Sequence, residues 1–552
     1  MNMNNMNMNR RKFLSRGPVA LAAAGGATLR GAETQQSPPT IDNGVTWLPR
    51  EAAVYAYGYH LEPYPLPPGP HLFIDWRYVQ CGRIIWQAAD GSDAPLFAHR
   101  EIAGVRGQPG AVPFGIRLAA QKAERIGPVI PNDREWEFMI CGYVSLHALD
   151  GKFGLWYEVV PPGGDGEANL LCYAESADGL NWTKPDLGLV DFRGSRKNNI
   201  VIDGRLCPYR SFHGNSVFLD PNAPPSERFK VIYMAMTNDA ALVDRFKRTR
   251  PLSVSELGER KRTVILLGAS HDGLHWKLFD DILMVHQSDT QTTVYYDQFL
   301  QRYVGYFRTI VMNRRAIGRA ETANLRQWPL PETVLWSQAQ EDPAEDYYDN
   351  SKSLYPGTST MHLMIPTIYH RRNDACSLRL ASSLDGAVWH WVPGGDVLEC
   401  GPYGTWDAGC LFGGFGLTEL PDGRVVLPYG GYRVPHKYPR YGRMGQVGFA
   451  AWKRERLAAL EADEEGEFFT QKLVLSGDRL VLNFETKPAG FIKVEVADTA
   501  GHTLDDCDPL IGDQLKATVT WRGQSSIGTQ PGRAVVLRFR LRAAKLFSFE
   551  VK

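Results

Sequence analysis

Acidic and amide side chains recur along this chain where β-strands are about to begin. Glu135-Trp136-Glu137, His213-Gly214-Asn215, Asp289-Thr290-Gln291, Asp346-Tyr347-Tyr348-Asp349-Asn350 and Trp406-Asp407 each precede or open an apolar run. A single acid in such a place usually caps a turn or bonds nearby backbone. Five polar groups at equivalent places point instead to side chains that meet in one pocket. Converging carboxylates suit glycoside cleavage: one carboxyl protonates the leaving oxygen, while another activates water or attacks the sugar carbon. Crowding raises the pKa of one member, which keeps it protonated near neutral pH. Glu137, Asp289 and Asp407 are the candidate catalytic carboxylates, with acid and base left unassigned. Asp75, His213, Asn215, Gln291, Asp349 and Asn350 are candidates to hold substrate, and Trp136 and Trp406 to stack on sugar faces. Cations at the ends of second strands, Arg308, His370, Arg371 and His436, could bind hydroxyls, a carboxylate or a sulfate.

One phrase sets the architecture that would position these residues. Ser176-Ala-Asp-Gly-Leu-Asn-Trp182 returns as Ser270-His-Asp-Gly-Leu-His-Trp276, as Ser383-Leu-Asp-Gly-Ala-Val-Trp389, and in a weaker copy as Thr322-Ala-Asn-Leu-Arg-Gln-Trp328. Asp-Gly is strong turn chemistry, because Gly tolerates positive φ and Asp bonds its own backbone. Repeated among β-rich runs, it predicts the blades of a propeller. The same interval separates Asp289 from Thr322 and Asn350 from Ser383, so these two residues occupy matching places. The predicted fold is all-β, a five-bladed β-propeller followed by a small C-terminal β-sandwich. Residues 1–40 read as a leader and linker, 41–130 as a segment packing on the propeller, and 131–453 as the propeller. Residues 454–466 are Ala/Leu-rich and charged and read as a helical connector, and 467–552 as the sandwich.

Composition narrows the partners. Lys+Arg and Asp+Glu each total 61, which gives no support for nucleic acid or a charged membrane surface as a partner. No later apolar run is long enough to span a bilayer. The leader pairs Arg10-Arg11-Lys12 with a weakly apolar stretch, a twin-arginine pattern that predicts export to the periplasm or beyond. The eight cysteines form no CxxC pair and no cluster with zinc spacing, so no metal site and no disulfide framework is predicted. Several lie in strand runs, where a thiol serves as a small buried hydrophobe. No cofactor is required by the pattern, although Asp and Asn near the propeller axis could hold Ca²⁺.

His71-Leu-Phe-Ile-Asp75, Gly127-Pro-Val-Ile-Pro-Asn-Asp-Arg-Glu-Trp-Glu137, Cys172-Tyr-Ala-Glu-Ser-Ala-Asp-Gly-Leu-Asn-Trp182, Asp289-Thr-Gln291 and Trp406-Asp407 carry a resemblance. The chain resembles exported bacterial proteins akin to glycoside hydrolase family 32 and related five-bladed β-propeller glycosidases. The first-blade motif of family 32 itself, Trp-Met-Asn-Asp-Pro-Asn-Gly, is absent. The resemblance implies the fold, export and a sugar substrate; fructan specificity is not implied. The expectation is an exported glycoside hydrolase acting on a poly- or oligosaccharide. The rivals are a glycan-binding propeller without activity, a sialidase-like enzyme using Tyr432, and a polysaccharide lyase using His213 with a Tyr.

Overall fold

The computed structural model describes residues 63–81, 112–164, 169–338, 341–439, 442–530 and 532–552, together with the backbone of Ile85–Gln87 and Asp93–Pro95. The expected leader, and much of the segment assigned to 41–130, lie outside the described residues.

The described chain is nearly all β. Its middle is a succession of five antiparallel sheets. The first sheet runs Met139–Leu149, Lys152–Val160, Leu170–Ser176 and Ile200–Asp203. The second contains Arg210–Leu219, Phe229–Met236, Thr263–Ser270 and Lys277–Leu278. The third contains Thr293–Asp297, Arg302–Val311, Arg314–Thr322 and Glu332–Leu335. The fourth is built on Glu345–Tyr347, Thr367–His370, Ala375–Ser383 and His390–Leu398, and the fifth on Cys410–Gly413, Arg424–Tyr432 and Gln446–Lys453. Strands such as Thr263–Ser270 are buried at every residue. Their unbroken apolar runs follow from cover on both faces.

The recurring phrase makes the same turn three times. Ser176 Oγ donates to Asp178 Oδ1 and accepts from the Gly179 amide, and Asp178 Oδ1 accepts from the amides of Leu180 and Asn181. The Trp182 indole donates to the Gly179 carbonyl. Ser270–Trp276 and Ser383–Trp389 repeat each of these bonds. The glycine sits at φ +77°, +78° and +70° in the three copies, a conformation that only Gly adopts without strain.

Polar side chains stitch each sheet to the next. The Val217 amide donates to Ser145 Oγ, Ser216 Oγ to the Thr292 carbonyl, Thr293 Oγ1 to Asn350 Oδ1, and the Gly413 amide to Thr367 Oγ1. The Phe415 amide then donates to the Val144 carbonyl, so the fifth sheet returns to the first.

Two boundaries differ from the sequence reading. Glu124–Ile130 is not merely packed on the sheets: it pairs with Gln446–Lys453 as a strand of the fifth sheet. Ala458–Phe469 is a strand where the sequence predicts a helical connector. Its Ala/Leu/Glu composition favours helix in isolation, but Leu537–Val551 pairs with it along one edge and Arg117–Ala120 along the other. That lateral pairing overrides local propensity. The C-terminal region is a six-stranded sheet dominated by the long strands Leu480–Val496 and Leu537–Val551, beside a three-stranded sheet of Tyr64–Pro65, Leu473–Val474 and Ala534–Val535. His71–Leu72 joins the larger sheet, so the N-terminal segment is shared between the two regions.

Candidate active site

The first strands of the five sheets surround a cavity of about 190 Å³. Met139, Cys141, Gly142 and Tyr143 come from the first sheet, His213 from the second, and Asp289 from the approach to the third. Tyr348 comes from the fourth, and Cys410 and Phe412 from the fifth. Tyr432, the loop Val434–Lys437 and Met444 close one side.

The chemistry of the cavity centres on His213. Its strand bulges there, with the register against Phe229–Met236 shifting on both sides of His213. Gly214 permits this: it lies at φ +62°, and a Cβ on it would meet the Thr290 carbonyl oxygen at 2.3 Å. The imidazole is thereby held between two carboxylates. Nδ1 lies 2.8 Å from Glu158 Oε1, and Nε2 lies 3.1 Å from Asp289 Oδ1. Burial alone would discharge the ring, but Glu158 and Asp289 outweigh it and raise its pKa to about 10. The imidazolium therefore persists at neutral pH and donates from both nitrogens. Its ring meets that of Tyr143 edge-on, with centroids 5.1 Å apart.

Glu158 is fully buried behind the imidazole. Asn169 Nδ2 donates to its Oε1 at 2.6 Å and Asn215 Nδ2 to its Oε2 at 2.6 Å. Asp289 is the carboxylate that faces the cavity, with 47% of its side chain exposed. Burial would raise its pKa, yet the His213 hydrogen bond and the Arg308 guanidinium hold it below the usual carboxylate range. Arg308 Nη1 lies 3.6 Å from Asp289 Oδ2. That guanidinium is itself fixed by donating to the Tyr348 carbonyl at 2.9 Å and by lying 4.4 Å over the Tyr348 ring. Behind it, Arg315 and Arg371 both pair with the buried Asp346.

The expected trio of carboxylates does not assemble. Glu137 is fully buried and its oxygens are taken: it accepts from Tyr157 Oη, Lys184 Nζ and the amides of Asp133 and Arg134, all within 3.0 Å. Asp407 is equally buried and accepts from Arg125 Nε, Tyr429 Oη and Thr405 Oγ1. Neither lines the cavity. Both show the capping role of acids at strand starts, because each must satisfy backbone or a cation where the chain changes direction.

The remaining candidates divide in the same way. His213, Arg308, Asp289 and His436 gather at the cavity, His436 packing edge-on against Tyr348 and Phe412. Asn215 acts through Glu158. Gln291 spends its amide on the carbonyls of Val144 and Asn215, and Asn350 bonds Thr293, so both stitch sheets together. Asp349 accepts from the Thr367 amide and hydroxyl, and burial raises its pKa to about 6. Trp136 is buried against Phe192 and donates to Asn199, while Trp406 stacks on Tyr429. Arg371 pairs with Asp346, and His370 bonds Ser377. Asp75 forms a bidentate pair with Arg77, accepting from Nε at Oδ1 and from Nη2 at Oδ2, close in sequence to His71–Leu72 of the C-terminal sheet. Tyr432 lines the cavity, with its hydroxyl donating to the Ile140 carbonyl. Glu158, Tyr143 and Arg315 escaped the sequence reading. One signal was available for Glu158: an acid inside the apolar strand Lys152–Val160 must find a partner.

Among the described residues, a tight group of three potential metal ligands occurs at His271, Asp272 and His275, on the surface turn of the second sheet. None of the three lines the cavity, and the group mixes imidazole with carboxylate, unlike the oxygen-rich sets that Ca²⁺ prefers.

No family model and no curated protein matches the sequence. Among solved structures, an N-acetylgalactosamine deacetylase from F. plautii in complex with blood group B trisaccharide overlaps at TM-score 0.41 and 14% identity. That overlap covers 62% of this chain and 96% of the other. A thermostable family-43 glycoside hydrolase overlaps at TM-score 0.37 and 13% identity, covering 58% and 92%. A glycosyl hydrolase from Bacteroides ovatus overlaps at TM-score 0.40 and 12% identity, covering 61% and 95%. Similarity at this level assigns neither an activity nor a residue.

Proposed function

We propose that this chain is an exported glycan-processing enzyme, and specifically a glycoside hydrolase working at the hub of a five-bladed β-propeller with a C-terminal β-sandwich. The observation that carries the reading is Asp289: an ionised carboxylate, half exposed, in a cavity reached by the first strands of five sheets. Its charge is suited to stabilising an oxocarbenium-like transition state or to attacking the sugar carbon. His213 Nε2 donates to Asp289 Oδ1 at 3.1 Å, so the imidazolium keeps that carboxylate ionised and oriented toward the cavity. Glu158 holds the other nitrogen, Nδ1, at 2.8 Å and so fixes the ring that positions Asp289. Tyr143, Tyr348 and Phe412 offer the apolar wall against which a sugar ring packs, and Arg308 with Lys437 favours substrates bearing a carboxylate or sulfate. Ca²⁺ is not needed in this scheme.

The test is a screen of plant and algal polysaccharides, sulfated and uronic ones included, scored for new reducing ends. Asp289→Ala should lower turnover on the active substrate by about 10³-fold while the thermal transition stays sharp. Undiminished turnover in that variant refutes the assignment.

A second reading has one observation in its favour. Glu137 and Asp407 are closed off, which leaves a single carboxylate at the cavity, and one carboxylate among cations and aromatic rings can hold a glycan without cutting it. Saturable binding with no reducing ends released, in wild type and Asp289→Asn alike, supports that reading.

A further inference from the structure

A second, larger cavity of about 520 Å³ lies far out on the sheets, between the last strands of the third and fourth, Glu332–Leu335 and His390–Leu398. Glu332–Leu335 pairs with Arg314–Thr322, and His390–Leu398 pairs with Ala375–Ser383, its C-terminal end also accepting from the Ala123 amide at the Val397 carbonyl. Its apolar floor is built from two partly exposed indoles, Trp336 and Trp391, and from Val388, which is 47% exposed. Both the strand geometry and the turn chemistry hold this floor in place. Val388 belongs to the recurring phrase, where its amide donates to Asp385 Oδ1. Trp389 beneath it is locked by its indole bond to the Gly386 carbonyl. Trp391 is braced edge-on by Tyr347, with ring centroids 5.0 Å apart, and the Arg379 guanidinium lies 5.5 Å over one face of its ring.

The rim is polar and acidic. Glu332, Gln338, Glu341 and His390 line it, and none of the described lining residues is Lys or Arg. Glu341 is fixed in place, accepting from Tyr347 Oη at 2.8 Å and from the Gln338 amide at 2.5 Å. Flat indole faces edged by hydrogen-bond acceptors match a pyranose ring, whose axial C–H bonds form an apolar face and whose hydroxyls project from its edge. Large rigid aromatics also lose little conformational entropy on binding. Glu332 and Glu341 are the charged side chains among the described lining residues, and they disfavour an anionic chain, although Arg314 reaches the Ser337 and Gln338 carbonyls behind the rim. The strongest match is a neutral polysaccharide whose hydroxyls are equatorial, since only such a chain presents flat faces on successive rings.

We propose that this groove is a second glycan-binding site, selective for neutral β-1,4-linked pyranose chains and separate from the Asp289 cavity. It does not depend on Asp289 being catalytic. Its role is to hold the protein on a polymer while the cavity addresses other parts of the glycan.

The experiment is affinity electrophoresis of the full chain in gels containing hydroxyethyl cellulose, soluble xylan or polygalacturonate. Cellohexaose titration, followed by tryptophan fluorescence, gives the solution measurement. The wild type and Asp289→Ala should be retarded equally by a neutral polymer. Trp336→Ala should weaken that retardation at least tenfold. Val388→Asp, an exposed position where folding is not at stake, should do the same by placing a charge on the floor. Three results overturn the proposal: no retardation by either neutral polymer, retardation by polygalacturonate alone, or retardation that survives in both groove variants. Loss of binding in Asp289→Ala would place the site in the inner cavity and also overturn it.

Discussion

Glu137 and Glu158 are two glutamates of the first sheet region, both fully buried, with opposite fates. Glu137 is surrounded by donors that all belong to the framework: a lysine, a tyrosine and two backbone amides. Glu158 instead spends one oxygen on an imidazole whose other nitrogen reaches a cavity. The first carboxylate ends in the framework and the second continues outward to solvent. Burial and charge are the same in both; what separates structure from chemistry is whether the partner has a second face.

Four variants sharpen or break this contrast. The largest expected effect is on rate, in Asp289→Ala, the outward end of the Glu158 chain, as set out above. Next, Glu137→Ala should destabilise the fold by about 1–3 kcal/mol, because it leaves the amides of Asp133 and Arg134 without their acceptor, while the Lys184 ammonium keeps only Asp133 and the Pro131 carbonyl. A urea midpoint measures the loss, and activity per folded molecule should be unchanged. If rate falls with stability intact, Glu137 is not the framework residue described here.

Glu158→Gln preserves volume and removes charge, so its signature should be a pH profile. His213 is raised to about 10 in the folded protein, above its ordinary value of 6.5. Its contribution to stability is therefore complete below pH about 6.5 and is lost as pH rises through about 10. In the glutamine variant the alkaline limb of activity should move toward neutrality, and the alkaline loss of stability should flatten. An unchanged alkaline limb separates Glu158 from His213.

The smallest effect belongs to Asp349→Asn. The Asp349 pKa is raised to about 6 by burial, above its ordinary value of 3.8, so ionising it opposes folding. Wild-type stability should fall as pH rises from about 4 through about 6, and the asparagine variant should lack that fall. Denaturation midpoints at pH 4 and pH 7 decide it.

Much of this was legible in the chain. The Ser-x-Asp-Gly phrase announces its own turn, since each donor and acceptor in it lies within three residues. The two-sided burial of strands such as Thr263–Ser270 is written in their unbroken apolar runs. The candidate site was only partly legible. His213, Asp289 and Arg308 were picked as polar residues at strand ends, and the fold brings them together. Glu137 and Asp407 carried the same signal and went elsewhere, because a strand-start acid is satisfied by whichever donor is nearest. Residues 458–466 read as helix because their composition says nothing about two waiting strand edges.

The sequence by itself determined the turns, the strand runs and the set of polar residues available at the strand starts, because those depend on interactions within a few residues. Only the tertiary structure decided which carboxylate faces the cavity, which imidazole is charged and where a groove opens on the rim. Those outcomes depend on donors and dipoles contributed by segments tens to hundreds of residues apart, and a side chain's electrostatics follow its neighbours in space.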